Sequence, residues 1–470
     1  MPERLPPSDS RRSPRRRLPT WAGVAVLGLG LVTGCRHGAT AGERPLDARA
    51  QAREYLATNQ PERALPLLEA EFSRAPEDLE LARALTEAQV KAGRTDAWIA
   101  ELQRRNAQAE RAVNHYMLGL AYFSRVSDAG APAVEAFERA LALKPDEPEF
   151  HYRLGLARLE SEQYAAAVGP LRRAAELAPE RTGIRLPLAK ALHRTGDAAG
   201  AVAALGAWVR MSPSPSEVAT ARALMDQIAD PFARFPKAAE PKLEEAMRYL
   251  QELDAPHPAI VAFEEILRDY PDLAVVHALL GLAWQRLDDA GRAVEEFKRA
   301  IELAPEDGKN HFYLGELYLA RQRPEAARPY LEKAVALNPL LDTAWFRLGD
   351  LHLDRRDLKA AGESFRVLTA LQPDEIAPRG KLALVYQLEG NWAGAEHELM
   401  RVVDKDPDNL EFTLRLGILF TEQAKQSSKP EERRVAAEKA EKWLRKVLET
   451  QPENALASRA LQQLKSPRGQ

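Results

Sequence analysis

Four histidines recur at matching places in the chain, His115, His151, His277 and His311. Histidine is the commonest metal ligand, so a metal site is the first chemistry to weigh. A zinc site needs each donor nitrogen about 2.0–2.1 Å from the ion. These histidines fall one to a repeating segment, and packed helices lie about 8–10 Å apart, so neighbours cannot close on one ion. They are expected to be packing residues. Asp404, Asp406 and Asp408 alternate in "DKDPDN" and hint at a calcium loop. That loop needs Gly where Asn409 stands and a bidentate Glu where Arg415 stands, so the segment reads as an acidic turn. "HELMR" at 397–401 opens like a zinc-protease helix but has Arg401 in place of the second His. The sequence shows no phosphate-cradling loop, no nucleophile elbow and no Ser–His or Cys–His arrangement. The chain is therefore read as a non-enzyme with no catalytic residue, metal or cofactor.

Cys35 is the only cysteine in 470 residues, and what precedes it is informative. Residues 1–20 carry six arginines against Glu3 and Asp9, and "WAGVAVLGLGLV" follows from Trp21 to Val32. That apolar run is too short for a bilayer core, which needs about 20 residues. A basic segment, a short apolar segment and small residues before a cleavage point describe an export signal. Leu31-Val32-Thr33-Gly34-Cys35 resembles the lipobox of bacterial lipoproteins. The resemblance implies cleavage after Gly34, a signal peptide over 1–34, a lipidated tether over 35–44, and lipid on Cys35. Removing residues 1–34 takes 6 basic and 2 acidic side chains from 66 and 69, leaving 60 and 67 and a net charge of −7. That balance gives no broad basic field for nucleic acid.

The elements that must position any site follow from an internal repeat. Residues 274–307, 308–341 and 342–375 align without gaps over 34 positions. Leu280, Leu314 and Leu348 stand at position seven, Gly281, Gly315 and Gly349 at eight, and Ala293, Ala327 and Ala361 at twenty. Pro305, Pro339 and Pro373 close each unit at thirty-two, and Pro271 and Pro407 extend the same spacing, as do Pro145, Pro179 and Pro213 among themselves. Proline terminates helices, so each period holds two helices of about a dozen residues. Projected outward, the units are 45–78, 79–111, 112–147, 148–181, 182–215, 240–273, the three above, 376–409 and 410–454. The last is lengthened by a charged insert around 425–446. Residues 216–229 read as a lone helix, 230–241 as a joint stiffened by Pro231, Pro236 and Pro241, and 455–465 as a terminal cap.

Trp345, Leu348, Gly349, Ala361, Phe365 and Pro373, with their counterparts in the neighbouring units, make the pattern resemble the tetratricopeptide repeat over about 45–465. The resemblance implies an all-α superhelical solenoid of antiparallel helix pairs. It is divided into an N-terminal array over 45–229 and a C-terminal array over 240–470, joined by 230–241. It also implies a concave face lined by positions two, five, nine, twelve and thirteen of each first helix, on which such proteins hold other proteins. Phe312 and Phe346 occupy position five of adjacent repeats, with Glu316, Asp350 and Asp354 around them, and Tyr116 and Tyr152 form a similar pair nearer the N-terminus. These seven residues are the expected groove, for a peptide with apolar anchors and Lys or Arg. The family's carboxylate clamp needs Lys and Asn at the places around the Phe pair, so recognition of an acidic chain terminus is not expected in the C-terminal array. The expected function is a lipid-anchored scaffold or assembly factor of the bacterial envelope, facing the periplasm from the outer membrane. Its partners are other envelope proteins, in pilus or secretion-pore assembly, exopolysaccharide export or recruitment of envelope enzymes. The alternative is a non-catalytic subunit or regulator of a cell-wall or polysaccharide-acting enzyme.

Overall fold

The computed structural model describes residues 47–125 and 130–465. Cys35, the segment 1–34 and the tether 35–44 lie outside the described residues. The described residues form helices and turns, with no strand among them, and none of these helices is long and apolar enough to cross a membrane. The chain divides into two compact units, residues 1–146 and 147–470.

The first unit pairs Ala48–Ala57 with Pro61–Arg74, Leu79–Lys91 with Thr95–Gln108, and Ala112–Phe123 with Gly130–Leu143. Each helix buries one stripe. Phe72, Leu85, Trp98, Leu102, Met117 and Phe137 are among its buried side chains.

The second unit continues the pairing from Pro148–Glu160 to Pro430–Thr450 and closes with Ala455–Lys465. That last helix packs on Leu410–Gln426 and Pro430–Thr450, as expected for a cap. The eleven or so extra residues of the last repeat lengthen its two helices to 17 and 21 residues. Position eight explains how each pair closes. A Cβ on Gly281 would lie 2.6 Å from the Phe297 ring, and one on Gly315 would lie 2.9 Å from Leu331. The bulky residue of the second helix therefore rests where the first helix has no side chain.

The helix expected at 216–229 forms as Pro215–Ile228, and it is not without partners. It packs on Arg185–Arg194 and on Leu358–Leu371. The preceding helix, Ala198–Val209, packs on Pro324–Leu337 and Leu358–Leu371. Trp208, Leu205, Leu224 and Met225 thus share one core with Leu340, Trp345, Leu368 and Leu371. Polar contacts hold the same seam. Arg222 donates to both Asp342 carboxylate oxygens at 2.9 and 3.0 Å and to the Leu340 carbonyl at 3.4 Å. Arg210 donates to Glu363 at 2.7 Å and lies 5.3 Å from the Trp345 ring centre. Helices on both sides of segment 230–241 contribute to this core.

Candidate groove surfaces of the repeats

The histidine register resolves into a structural role. His277 Nε2 lies 2.9 Å from the Pro271 carbonyl oxygen and His311 Nε2 lies 3.2 Å from that of Pro305. The two following repeats do the same with other side chains. Trp345 Nε1 donates to Pro339 O at 2.8 Å, and Arg379 donates to Pro373 O at 3.0 Å. The proline that closes one repeat leaves a carbonyl without a helical partner, and position four of the next repeat supplies the donor. Position twenty-three meets three of these four donors, twice through a carboxylate and once through a ring. Glu296 bonds His277 Nδ1 at 2.6 Å, Glu398 accepts from Arg379 at 2.9 Å, and the Tyr330 ring lies 6.3 Å from that of His311. In the first unit the 79–111 repeat lacks its closing proline, and His115 instead reaches Glu110 at 2.9 Å and Asn106 at 3.3 Å.

The two similar imidazoles shift in opposite directions. For His277, burial works against the charged ring, but the Glu296 bond and charge together with the Pro271 carbonyl outweigh it and raise its pKa. For His311 burial wins, and its pKa is lowered.

The expected groove residues fare unequally. Phe312 and Phe346 are half-buried against the shared core; Phe346 meets Phe365 edge-on at 6.2 Å. Glu316 is held by Arg347 in a two-pronged contact at 2.9–3.1 Å, and Asp350 by Lys381 at 2.8 Å. Position nine of one repeat thus pairs with position six of the next, and most of the expected negative charge is cancelled. Asp354 stays exposed, with no ion pair among the described residues. Tyr116 is a correction: at 1 % exposure, packed 6.3 Å from Phe137, it belongs to the core of the first unit. Tyr152 lies under Arg181 and Arg153, at 4.4 and 5.5 Å from ring centre to guanidinium, and burial raises its pKa.

What the sequence reading passed over are the aliphatic groove positions. Leu384 and Leu388, at positions nine and thirteen of repeat 376–409, are 38 % and 46 % exposed. Leu319 and Leu353, at position twelve of the two repeats before, are half-buried. The register names these positions, but the aromatic and acidic side chains stand out there and the leucines do not. A depression of about 430 Å³ lies between repeats 240–273 and 274–307, lined by Leu250, Gln251, Leu279, Leu282, Gln285 and Arg286. The first unit has its own groove depression of about 450 Å³, where Arg49, Arg53, Arg83 and Lys91 face Glu80 and Glu87.

Models of the tetratricopeptide repeat match residues 131–182 and 312–376, and a second such model matches 158–225. Over these residues the chain carries tetratricopeptide repeats. No curated protein matches the chain. Among solved structures it is similar to YrrB, described as a TPR protein with an unusual peptide-binding site. That likeness has 19 % identity and a TM-score of 0.38, and covers 43 % of this chain and 98 % of that one. A likeness to MamA has 19 % identity and a TM-score of 0.32, over 35 % and 96 % of the two chains. One to the APC/C hetero-tetramer Cut9–Hcn1 has 12 % identity and a TM-score of 0.34, over 90 % and 97 %.

Proposed function

We propose that this protein is a lipid-anchored scaffold of the bacterial cell envelope that holds partner proteins on the groove faces of its repeats. The observation that carries the reading is the exposed aliphatic pair Leu384 and Leu388 at groove positions. Nothing in the described residues covers them, and exposed apolar surface on a groove marks a binding face. With Glu316 and Asp350 already paired, apolar side chains are the main currency of recognition there, and Asp354 adds a preference for a basic flank. The anchor rests on the basic–apolar–Val32-Thr33-Gly34-Cys35 order. Acyl chains bury about 0.8 kcal/mol per CH₂, and stable attachment takes more than one chain, which lipoprotein processing provides. Arg36, where the sorting rule for inner-membrane retention wants Asp, favours the outer membrane.

The test has two arms. Cys35→Ser protein should leave the membrane fraction, and its full retention there would overturn the anchor. A Leu384→Asp, Leu388→Asp variant should lose its crosslinked partners while its helical melt stays within about 1 kcal/mol of the parent, as surface changes do. An unchanged partner set would overturn the groove. Leucines serve better than Phe312 and Phe346, whose truncation would also disturb the core.

A further inference from the structure

A depression of about 750 Å³ opens on the second unit, and its wall includes one groove position, Val275 of repeat 274–307. Its walls come from both sides of segment 230–241. Val202 and Ala203 from Ala198–Val209 and Ile228 from Pro215–Ile228 face Val275 and Leu337 from the later repeats, and Phe235 comes from the joint itself. The volume is in the range of pockets that enclose drug-sized ligands, about 300–1,000 Å³. It exists because the seam around Trp208 and Arg222 holds these elements together.

The charge around this apolar floor is one-sided. Asp197, Asp230, Asp272, Glu306 and Asp307 line the cavity, against Arg234 alone. Asp272 is neutralised by Arg299 at 3.1 Å. Among the described residues, Asp197, Asp230 and Asp307 accept only backbone N–H bonds, from Gly200, Phe232 and Lys309 at 2.8–2.9 Å. Two of these are helix caps, and a helix N-terminus offers only about half a positive charge, so capping accounts for the position of these carboxylates without cancelling them. Glu306 and Arg234 make no ion pair among the described residues. Burial also pushes the Asp307 carboxyl up, against the Lys309 N–H and charge; a cation entering the cavity would relieve that burden.

We infer that this cavity is a second binding site, for a short partner segment that carries lysine or arginine between apolar side chains. The apolar floor takes the flanking side chains and Asp230, Glu306 and Asp307 take the cation. The site goes beyond the groove reading and does not depend on it.

The experiment uses the mature chain and two peptides with fluorescein on the N-terminal amine, fluoresceinyl-Leu-Lys-Phe-Arg-amide and its counterpart without side-chain charge, fluoresceinyl-Leu-Gln-Phe-Gln-amide. Anisotropy titration at low salt should show saturable binding of the basic peptide and at least tenfold weaker binding of the neutral one. An Asp230→Asn, Glu306→Gln variant keeps both side-chain shapes and should weaken the basic peptide about tenfold. Ala203→Trp fills the cavity and should abolish binding. The Leu384→Asp, Leu388→Asp variant should bind as the parent does, which separates this site from the groove. Equal binding of both peptides, no saturable binding of either, or unchanged binding by the Asn/Gln variant would each overturn the inference. Should Ala203→Trp unfold, the Asn/Gln variant decides alone.

Discussion

At the residue scale, the row of histidines is explained by one proline. A repeat-closing proline ends its helix and strands its carbonyl, and any side chain with a suitably placed N–H at position four can satisfy it. His277, His311, Trp345 and Arg379 do so with three different chemistries. Sequence reasoning reached half of this. It separated the histidines by geometry and assigned them to packing, but their bonds to Pro271 and Pro305 involve tertiary hydrogen bonding that no periodicity reports. The two imidazoles give opposite pH signatures. His277, raised, contributes stability that is full below the unfolded value of about 6.5 and lost as pH rises through its folded value. Glu296 and Arg299 are the charges facing it. His311, lowered beside Asp307, Glu306 and Lys333, withdraws stability as pH falls from about 6.5 through its folded value. Denaturant midpoints at about pH 5 and about pH 8 should show the His277→Gln deficit larger at the acid end and the His311→Gln deficit smaller there. Parallel curves for the two variants would mean that neither shift is real.

At the element scale, the turn between the two helices of a pair carries a fixed backbone demand that the sequence hides. Position fifteen has positive φ in nine repeats: Asn59, Gly93, Glu162, Gly196, Asp254, Asp288, Gln322, Arg356 and Gly390. Only three of these are glycine, so the usual turn signal is missing at six, although the 34-residue ruler predicted a turn there. The helix pairing itself was legible because Gly281 and Phe297, or Gly315 and Leu331, are complementary by size as well as by spacing. The repeat-closing prolines all lie between helices, whereas Pro66, Pro170 and Pro329 lie inside helices, within the first two turns. Two substitutions test the turn and the pair. Arg356 is exposed at φ +60°, and a non-glycine residue in that region costs about 1–2 kcal/mol. Arg356→Gly should therefore raise stability by up to about 1 kcal/mol after the unfolded-state entropy of glycine is deducted. Gly281→Ala should lower it by about 1–3 kcal/mol through overpacking against Phe297. Chemical denaturation measures both, and a stabilised Gly281→Ala protein would show that the ring yields.

At the scale of the whole molecule, the outcome depends on what the repeats do after they stack. The period dictates nearest-neighbour contacts, and a run of such contacts with three prolines in 230–241 points to two arrays with a joint between them. Residues 205–225 meeting residues 340–371 is a contact between segments more than a hundred positions apart, and local pattern carries no trace of it. The apolar faces of Ala198–Val209 and Pro215–Ile228 were legible as faces, without their partners. The seam matters because a solenoid with only neighbour contacts localises damage, whereas a shared core spreads it. Trp208 is fully buried, and Trp→Ala in a core costs about 3–5 kcal/mol. Hydrogen exchange on Trp208→Ala protein should show lost protection in its own helix and also in Leu358–Leu371. That helix meets Trp208 only through the fold and lies on the far side of the joint. The fragment 240–470, expressed alone, should show the same loss in Leu358–Leu371, because cutting the chain removes the same surface. Protection lost only near residue 208, with 358–371 unchanged in both proteins, would mean that the two arrays are energetically independent and that the seam is contact without coupling.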